Sequence, residues 1–172
     1  FDPQGRLNPG NIVDPQPIAL NLRARPGERD LALPQVDTYF RWEAEHGFGA
    51  AVEQCNGAGV CRRTKGGTMC PSYRALRDER HATRGRGNAL RLAISGQLTD
   101  GAPDWNDEET RATLDLCLSC KACGSECPSN VDVAKLKAEY LAQGYARAGA
   151  PLSARVFSRV RQLNVVASMA PR

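Results

Sequence analysis

The chain has 172 residues, 41% hydrophobic and 24% charged, with a formal net charge of +4 at pH 7. These values describe one domain, or a compact domain with a tail, and exclude both a long disordered chain and a large multidomain enzyme. Two Trp, four Tyr and four Phe allow only a modest apolar core, so something besides apolar burial is expected to help hold the fold.

In chain order, six of the eleven prolines fall between Pro3 and Pro34, which prevents a continuous helix or central strand and predicts a tether or docking arm. Residues 35–50, with Tyr39, Phe40 and Trp42, fit either a short strand or an aromatic anchor. The remainder reads as helices separated by cysteine loops, an all-α architecture. Ala89, Leu90, Ala93 and Ile94 give helical spacing over 84–95, with Gly96 as the stop. Asn106 and Glu109 have the spacing of a capping box, so a helix is expected over about 107–118 that carries Cys117 in its last turn. Asn130 or Asp132 caps the next helix, whose stripe Val133, Leu136, Tyr140, Leu141 and Tyr145 ends near Gly149. A last, basic helix is expected over 151–172. The chain opens without Met and stops just after this apolar pattern, as expected of a piece of a longer polypeptide.

The seven cysteines are odd in number and crowded into two stretches. There is no signal peptide and no apolar run of about 18 residues, so metal-bound thiolates in a reducing cytosol fit better than disulfides or a membrane span. Cys117-x2-Cys120-x2-Cys123-x3-Cys127-Pro128 has the spacing of the bacterial ferredoxin run, in which three thiolates bind one cubane and the fourth serves another cluster. Zinc also uses C-x2-C pairs, but it needs only four ligands and does not call for three closely spaced cysteines plus Cys-Pro. The other Cys-Pro is Cys70-Pro71, so Cys70, Cys117, Cys120 and Cys123 are the expected ligands of one 4Fe-4S cluster. Cys55-x5-Cys61-x8-Cys70 then reads as a degenerate copy with Ala58 in the middle ligand's place. Cys55, Cys61 and Cys127 would hold a three-iron cluster, or a cubane with one corner closed by water or a side chain such as His46 or His81. The alternative is that this site has lost its metal and keeps small buried cysteines as packing.

Three further stretches carry a resemblance. Residues 1–12, FDPQGRLNPGNI, resemble the closing segment of the FAD-linked oxidase domain in flavin 2-hydroxyacid dehydrogenases of the vanillyl-alcohol-oxidase class. CNGAGVCRR at 55–63, GTMCPSYR at 67–74 and RDERHATRGRGNALR at 77–91 resemble bacterial proteins that fuse that flavin part to an iron-sulfur part, of the D-2-hydroxyglutarate or D-lactate dehydrogenase kind. The resemblance implies a helical-ferredoxin fold like that of fumarate reductase and anaerobic glycerol-3-phosphate dehydrogenase subunits. It also implies FAD in the parent protein and a place for Asn8 near the flavin, although Asn8-Pro9-Gly10 by itself reads as a turn. The expected organisation is an oxidase end and proline-rich linker (1–34), a connecting segment (35–54), an iron-sulfur domain (55–150) and a helix leading to a further domain (151–172).

Between Arg62 and Arg91, nine Lys or Arg face two acids. A solvated or salt-bridged helix surface, cluster tuning and docking of an acidic redox partner all account for this, whereas no nucleic-acid motif accompanies it. The GxG pairs at 57/59 and 85/87 follow no strand and give no nucleotide-binding reading. The two histidines support no catalytic arrangement. The expected function is an electron-transfer module of an FAD-dependent oxidoreductase, partnered by the upstream flavin domain of its parent and by an acceptor the sequence does not name. It would be cytosolic, with or without peripheral attachment at the inner membrane. The competing class is a structural or sensing iron-sulfur module that docks a partner protein.

Overall fold

The computed structural model describes residues 2–7, 10, 14–17, 36–99 and 101–169. The chain divides into two units, Phe1–Ala32 and Leu33–Arg172. In the first, the Asp2 carboxylate accepts the backbone N–H of Arg6 (2.9 Å) and Leu7 (2.7 Å), and these donors hold its carboxyl below the usual carboxylate range. Asn8 and residues 18–35, most of the expected arm, lie outside the described residues.

The second unit is helical, with no strand among the described residues. In order come α1 (Phe48–Glu53), α2 (Pro71–Leu76), α3 (Thr83–Ser95), α4 (Glu108–Asp115), α5 (Ala122–Glu126), α6 (Val133–Ala148), α7 (Leu152–Phe157) and α8 (Val160–Ser168). Short 3-10 turns stand at Val60–Arg62 and Glu79–His81. The core forms where α3 packs on α4, α6 and α1. Leu90, Ala93 and Ile94 of α3 meet Leu114 of α4 and Val133, Leu136 and Tyr140 of α6, all buried. Gly96 ends α3 in the left-handed region, at φ 72°, where a residue without Cβ is least strained.

Several local expectations are corrected. The cap of α4 is Asp107, whose carboxylate accepts the Thr110 N–H at 2.7 Å; Asn106 instead donates its own N–H to Asp104 at 2.8 Å. The helix stops at Asp115, so Cys117 lies beyond it. The Lys137 ammonium donates to the carbonyls of Leu114 (2.8 Å) and Cys117 (3.0 Å), satisfying acceptors that a longer helix would have used. Of the two caps offered for α6, Asp132 accepts the Lys135 N–H at 3.0 Å, whereas Asn130 takes φ 52° in the preceding turn. The last helix is two, α7 and α8, and neither has a buried residue.

Residues 36–48 form the aromatic anchor rather than a strand. Trp42 meets Phe48 (5.3 Å between ring centroids), Phe48 meets Trp105 (6.5 Å) and Trp105 meets Tyr140 (5.9 Å), a continuous aromatic path into the core. The Tyr140 hydroxyl donates to the Asp104 carbonyl at 3.0 Å, and burial drives its pKa up. Glu139, fully buried, accepts the N–H groups of Tyr39 and Phe40 (3.0 Å each to Oε2) and the Gln143 amide (2.9 Å), which staples this segment to α6. Lys135 sits 4.0 Å over the Trp42 ring and pairs with Glu45 at 2.9 Å.

The first turn of α3 is pressed against the Glu79–His81 turn. A Cβ at Gly85 would lie 2.2 Å from the Glu79 carbonyl oxygen and 2.9 Å from the Arg80 Cα, whereas one at Gly87 would meet nothing within 4 Å. Alanine normally exceeds glycine by about 1 kcal/mol inside a helix. Gly85→Ala is therefore expected to lose roughly 1–3 kcal/mol through overpacking, while Gly87→Ala is neutral or stabilising. Paired chemical-denaturation curves check the contrast.

Candidate metal centres

Cys70, Cys117, Cys120 and Cys123 line one cavity. Cys55, Cys61 and Cys127 line a second, with Ala58 in its wall. The grouping follows the two expected ligand sets, and neither His46 nor His81 lines either cavity. Thr83, the first residue of α3, borders both.

Each set is assembled by a tight loop and by the start of a longer helix. Ser119 and Lys121, flanking Cys120, take φ 51° and 62°. This left-handed backbone costs a non-glycine residue about 1–2 kcal/mol, and alternation of this kind turns N–H groups inward into the concavities found at iron-sulfur sites. Gly57 and Gly59, flanking Ala58, take φ 78° and 72°. A short helical turn begins after the second left-handed residue in both loops, after Lys121 at φ 62°, ψ 3° and after Gly59 at φ 72°, ψ 11°. The loop 55–61 therefore repeats the backbone of 117–123, with Ala58 where Cys120 stands.

Cys70 takes φ 50° before Pro71, which opens α2 at a position needing no N–H donor. Its sulfur receives the Thr83 backbone N–H at 3.0 Å and lies 3.0 Å from the Thr83 hydroxyl. Cys123 is served by the N–H groups of Val133 and Ala134 at the start of α6, and Cys61 by that of Arg84. Burial pushes both of these thiols up, and the backbone donors pull them back. The positive ends of α3 and α6 thus face the sulfurs, an arrangement suited to thiolates and to the charge of a cluster.

The donor set fits iron and sulfide better than a lone ion. Among the described residues no three His, Cys, Asp or Glu converge closely enough to hold a single metal ion; the sulfurs border a space instead. Four thiolates also suit the soft ligation of a cubane.

Part of the basic stretch is taken up by the fold. Arg62 and Arg84 pair with Glu79, Arg80 pairs with Glu109 at 3.1 Å, and Arg86 is buried in the wall of the first cavity. Reading the sequence missed Thr83 and Arg86 as site residues. The signal was there for Arg86, which stands four and seven residues before the buried Leu90 and Ala93 and so places a charge on the apolar stripe of α3.

The class is an all-α iron-sulfur domain, and residues 51–131 match the family described as a 4Fe-4S dicluster domain. This chain carries such a domain. Over the whole chain it is 26% identical to the D-2-hydroxyglutarate dehydrogenase of Escherichia coli K12 and, over 88% of the chain, 27% identical to that of Pseudomonas putida KT2440. Over 62% of its length it is 30% identical to the probable glycolate oxidase iron-sulfur subunit of Bacillus subtilis 168, of which the match covers 21%. The chain spans about a fifth of the length of the two dehydrogenases, 20% and 18%. No solved structure matches it significantly.

Glu126, beside Cys127, ties α5 to the loop before Cys70. Its carboxylate accepts the Thr68 N–H (2.7 Å) and hydroxyl (2.6 Å) and the Met69 N–H (3.4 Å), and these donors hold its carboxyl below the usual range. A lowered folded pKa means the contact is fully present above the unfolded value and is lost as pH falls through the folded one. Exchange protection of the Thr68 and Met69 amides is expected to persist through pH 5 and to fail only at lower pH. Glu126→Gln should flatten that dependence, as amide hydrogen exchange across a pH series would show.

Proposed function

We propose that this domain carries single electrons between a flavin centre in its parent protein and an external acceptor, as part of an FAD-dependent D-2-hydroxyacid oxidoreductase. The observation that carries this reading is the gathering of Cys70 with Cys117, Cys120 and Cys123 at one cavity, across the intervening helices α2, α3 and α4. These four residues would hold a 4Fe-4S cluster, which when bound supplies one-electron chemistry at a potential set by its surroundings. Thr83, Val133 and Ala134 would hold the sulfurs by their N–H groups, and Cys120, exposed in its loop, would place that edge near an acceptor. Cys55, Cys61 and Cys127 would form the second, three-thiolate site.

The relatives' names support a dehydrogenase context, and FAD belongs to the parent in this reading. Residues 1–34 are read as the end of the oxidase part, 35–54 as the connection, 55–150 as the iron-sulfur domain and 151–172 as the lead into a further domain. Asn8 would lie near the flavin. Among the described residues no helix is long and apolar enough to cross a membrane, and a cytosolic place, with or without peripheral attachment, is proposed.

Purified without oxygen, the protein is expected to be brown and bleached by dithionite. A redox titration then separates electron transfer from a purely structural or sensing cluster, which need not cycle in the range of flavin and quinone couples. Cys120→Ala should abolish the first cluster and much of the fold stability, because metal binding is also folding free energy. A colourless protein containing zinc and neither iron nor sulfide after anaerobic reconstitution would overturn the proposal.

Because the loop around Ala58 already has the backbone of the loop around Cys120, Ala58→Cys should complete the second site without rearrangement. The expected signs are a three-iron EPR signal in the oxidised wild type, its loss in the variant, and more iron per chain. Four irons per chain in both proteins, with Cys55, Cys61 and Cys127 all freely alkylated, would mean that the second site binds no metal.

A further inference from the structure

Arg86 is 2% exposed, yet all three of its hydrogen-bond partners are neutral. Its Nε donates to the Thr113 carbonyl (3.2 Å), Nη1 to the His81 carbonyl (2.5 Å) and Nη2 to the Ser72 hydroxyl (2.7 Å). No ion pair involves it among the described residues, where the nearby Arg62, Arg80 and Arg84 each have a carboxylate. A guanidinium does not lose its proton in a protein, and a buried charge without a counter-charge is strongly disfavoured. The wall this residue occupies belongs to the cavity bordered by Cys70, Cys117, Cys120 and Cys123.

We infer that Arg86 is the fixed counter-charge of the first cysteine site, a positioning residue that raises the reduction potential of the cluster held there. The inference rests on the iron-sulfur reading above. A thiolate-ligated cluster is the anion that balances a buried cation in this wall, and reduction adds one more negative charge beside it. A fixed positive charge stabilises the reduced state more than the oxidised one. Its three hydrogen bonds reach α2, the Glu79–His81 turn and α4, so the charge cannot swing away, and burial shields it from salt. The Thr83 hydroxyl and N–H act on Cys70 in the same direction from one helical turn away.

The test compares wild type with Arg86→Gln, Arg86→Lys and the exposed control Lys65→Gln. Each is purified anaerobically and assayed for iron and sulfide, with an EPR-monitored redox titration at low and high salt. Arg86→Gln is expected to load iron and titrate at a more negative potential at both salt concentrations, with Arg86→Lys returning toward wild type and Lys65→Gln unchanged. Should Arg86→Gln fail to load while Arg86→Lys loads with a potential near wild type, the charge is required for assembly and the inference stands. An unchanged potential in loaded Arg86→Gln would overturn it. So would failure of both Arg86 variants to load, since the residue would then be a hydrogen-bonding clamp whose charge is incidental. Absence of iron and sulfide from the wild type itself would instead defeat the iron-sulfur reading, before any variant is compared.

Discussion

The structure depends on bringing thiols from two distant stretches of chain to common points, and the start of α3 is where that happens. Thr83 borders both cysteine cavities and binds the Cys70 sulfur, while the next N–H, from Arg84, serves Cys61. Two adjacent donors in the first helical turn therefore belong to different sites. Gly85 follows directly, where the Glu79–His81 turn comes so close that no Cβ fits. That contact fixes the angle at which α3 leaves the cysteines and enters the core through Leu90, Ala93 and Ile94. The placement of the cysteine cavities and the apolar packing are thus set by the same helix at its two ends.

The electrostatics follow from the same placement. Thiolates cannot be buried among apolar side chains without donors or cations nearby. The starts of α3 and α6 supply oriented N–H groups, fixed in place and requiring no side-chain ordering. The left-handed residues Ser119 and Lys121 give their loop the kind of backbone that forms anion-binding concavities. In the second loop the same backbone is reached with Gly57 and Gly59, at little conformational cost. Of the two loops, the one without a middle cysteine is the less strained, and the one with a full ligand set bears the strain. Bonds from Cys117, Cys120 and Cys123 to iron would offset that cost.

The gathering of the cysteines was legible because their spacing along the chain is regular. The Cys-Pro pairs at 70 and 127 suggest that each run sends one cysteine to the other, and Cys70 does share a cavity with Cys117, Cys120 and Cys123, and Cys127 one with Cys55 and Cys61. The helices α3 and α6 were legible for the usual reason, a long apolar stripe with a cap and a glycine stop. What the sequence hid was local. Asn106 and Glu109 have the right spacing for a box, yet Asp107 is one residue nearer the Thr110 amide and wins the cap. Cys117 was expected inside α4, but Lys137 from a distant helix takes the terminal carbonyls. The short helices α1, α2 and α5 have too few residues to show a period. Arg86 was hidden in a count of basic residues, since a net local charge does not tell which of nine cations is turned inward.

Glu139 and Arg86 are buried charges in two different parts of one small core. Glu139 is fully enclosed, and its two oxygens take backbone N–H groups from Tyr39 and Phe40 and the Gln143 amide, which tie the aromatic anchor to α6. Arg86 likewise has its hydrogen bonds filled by neutral partners. Hydrogen bonds satisfy direction and leave net charge unbalanced in both. The two differ in place: Glu139 lines neither cysteine cavity, whereas Arg86 lies in the wall of the first. The remaining imbalance points into the cavity bordered by Cys70, Cys117, Cys120 and Cys123, where deprotonated thiols and the cluster they hold would complete the core electrically as they complete it sterically.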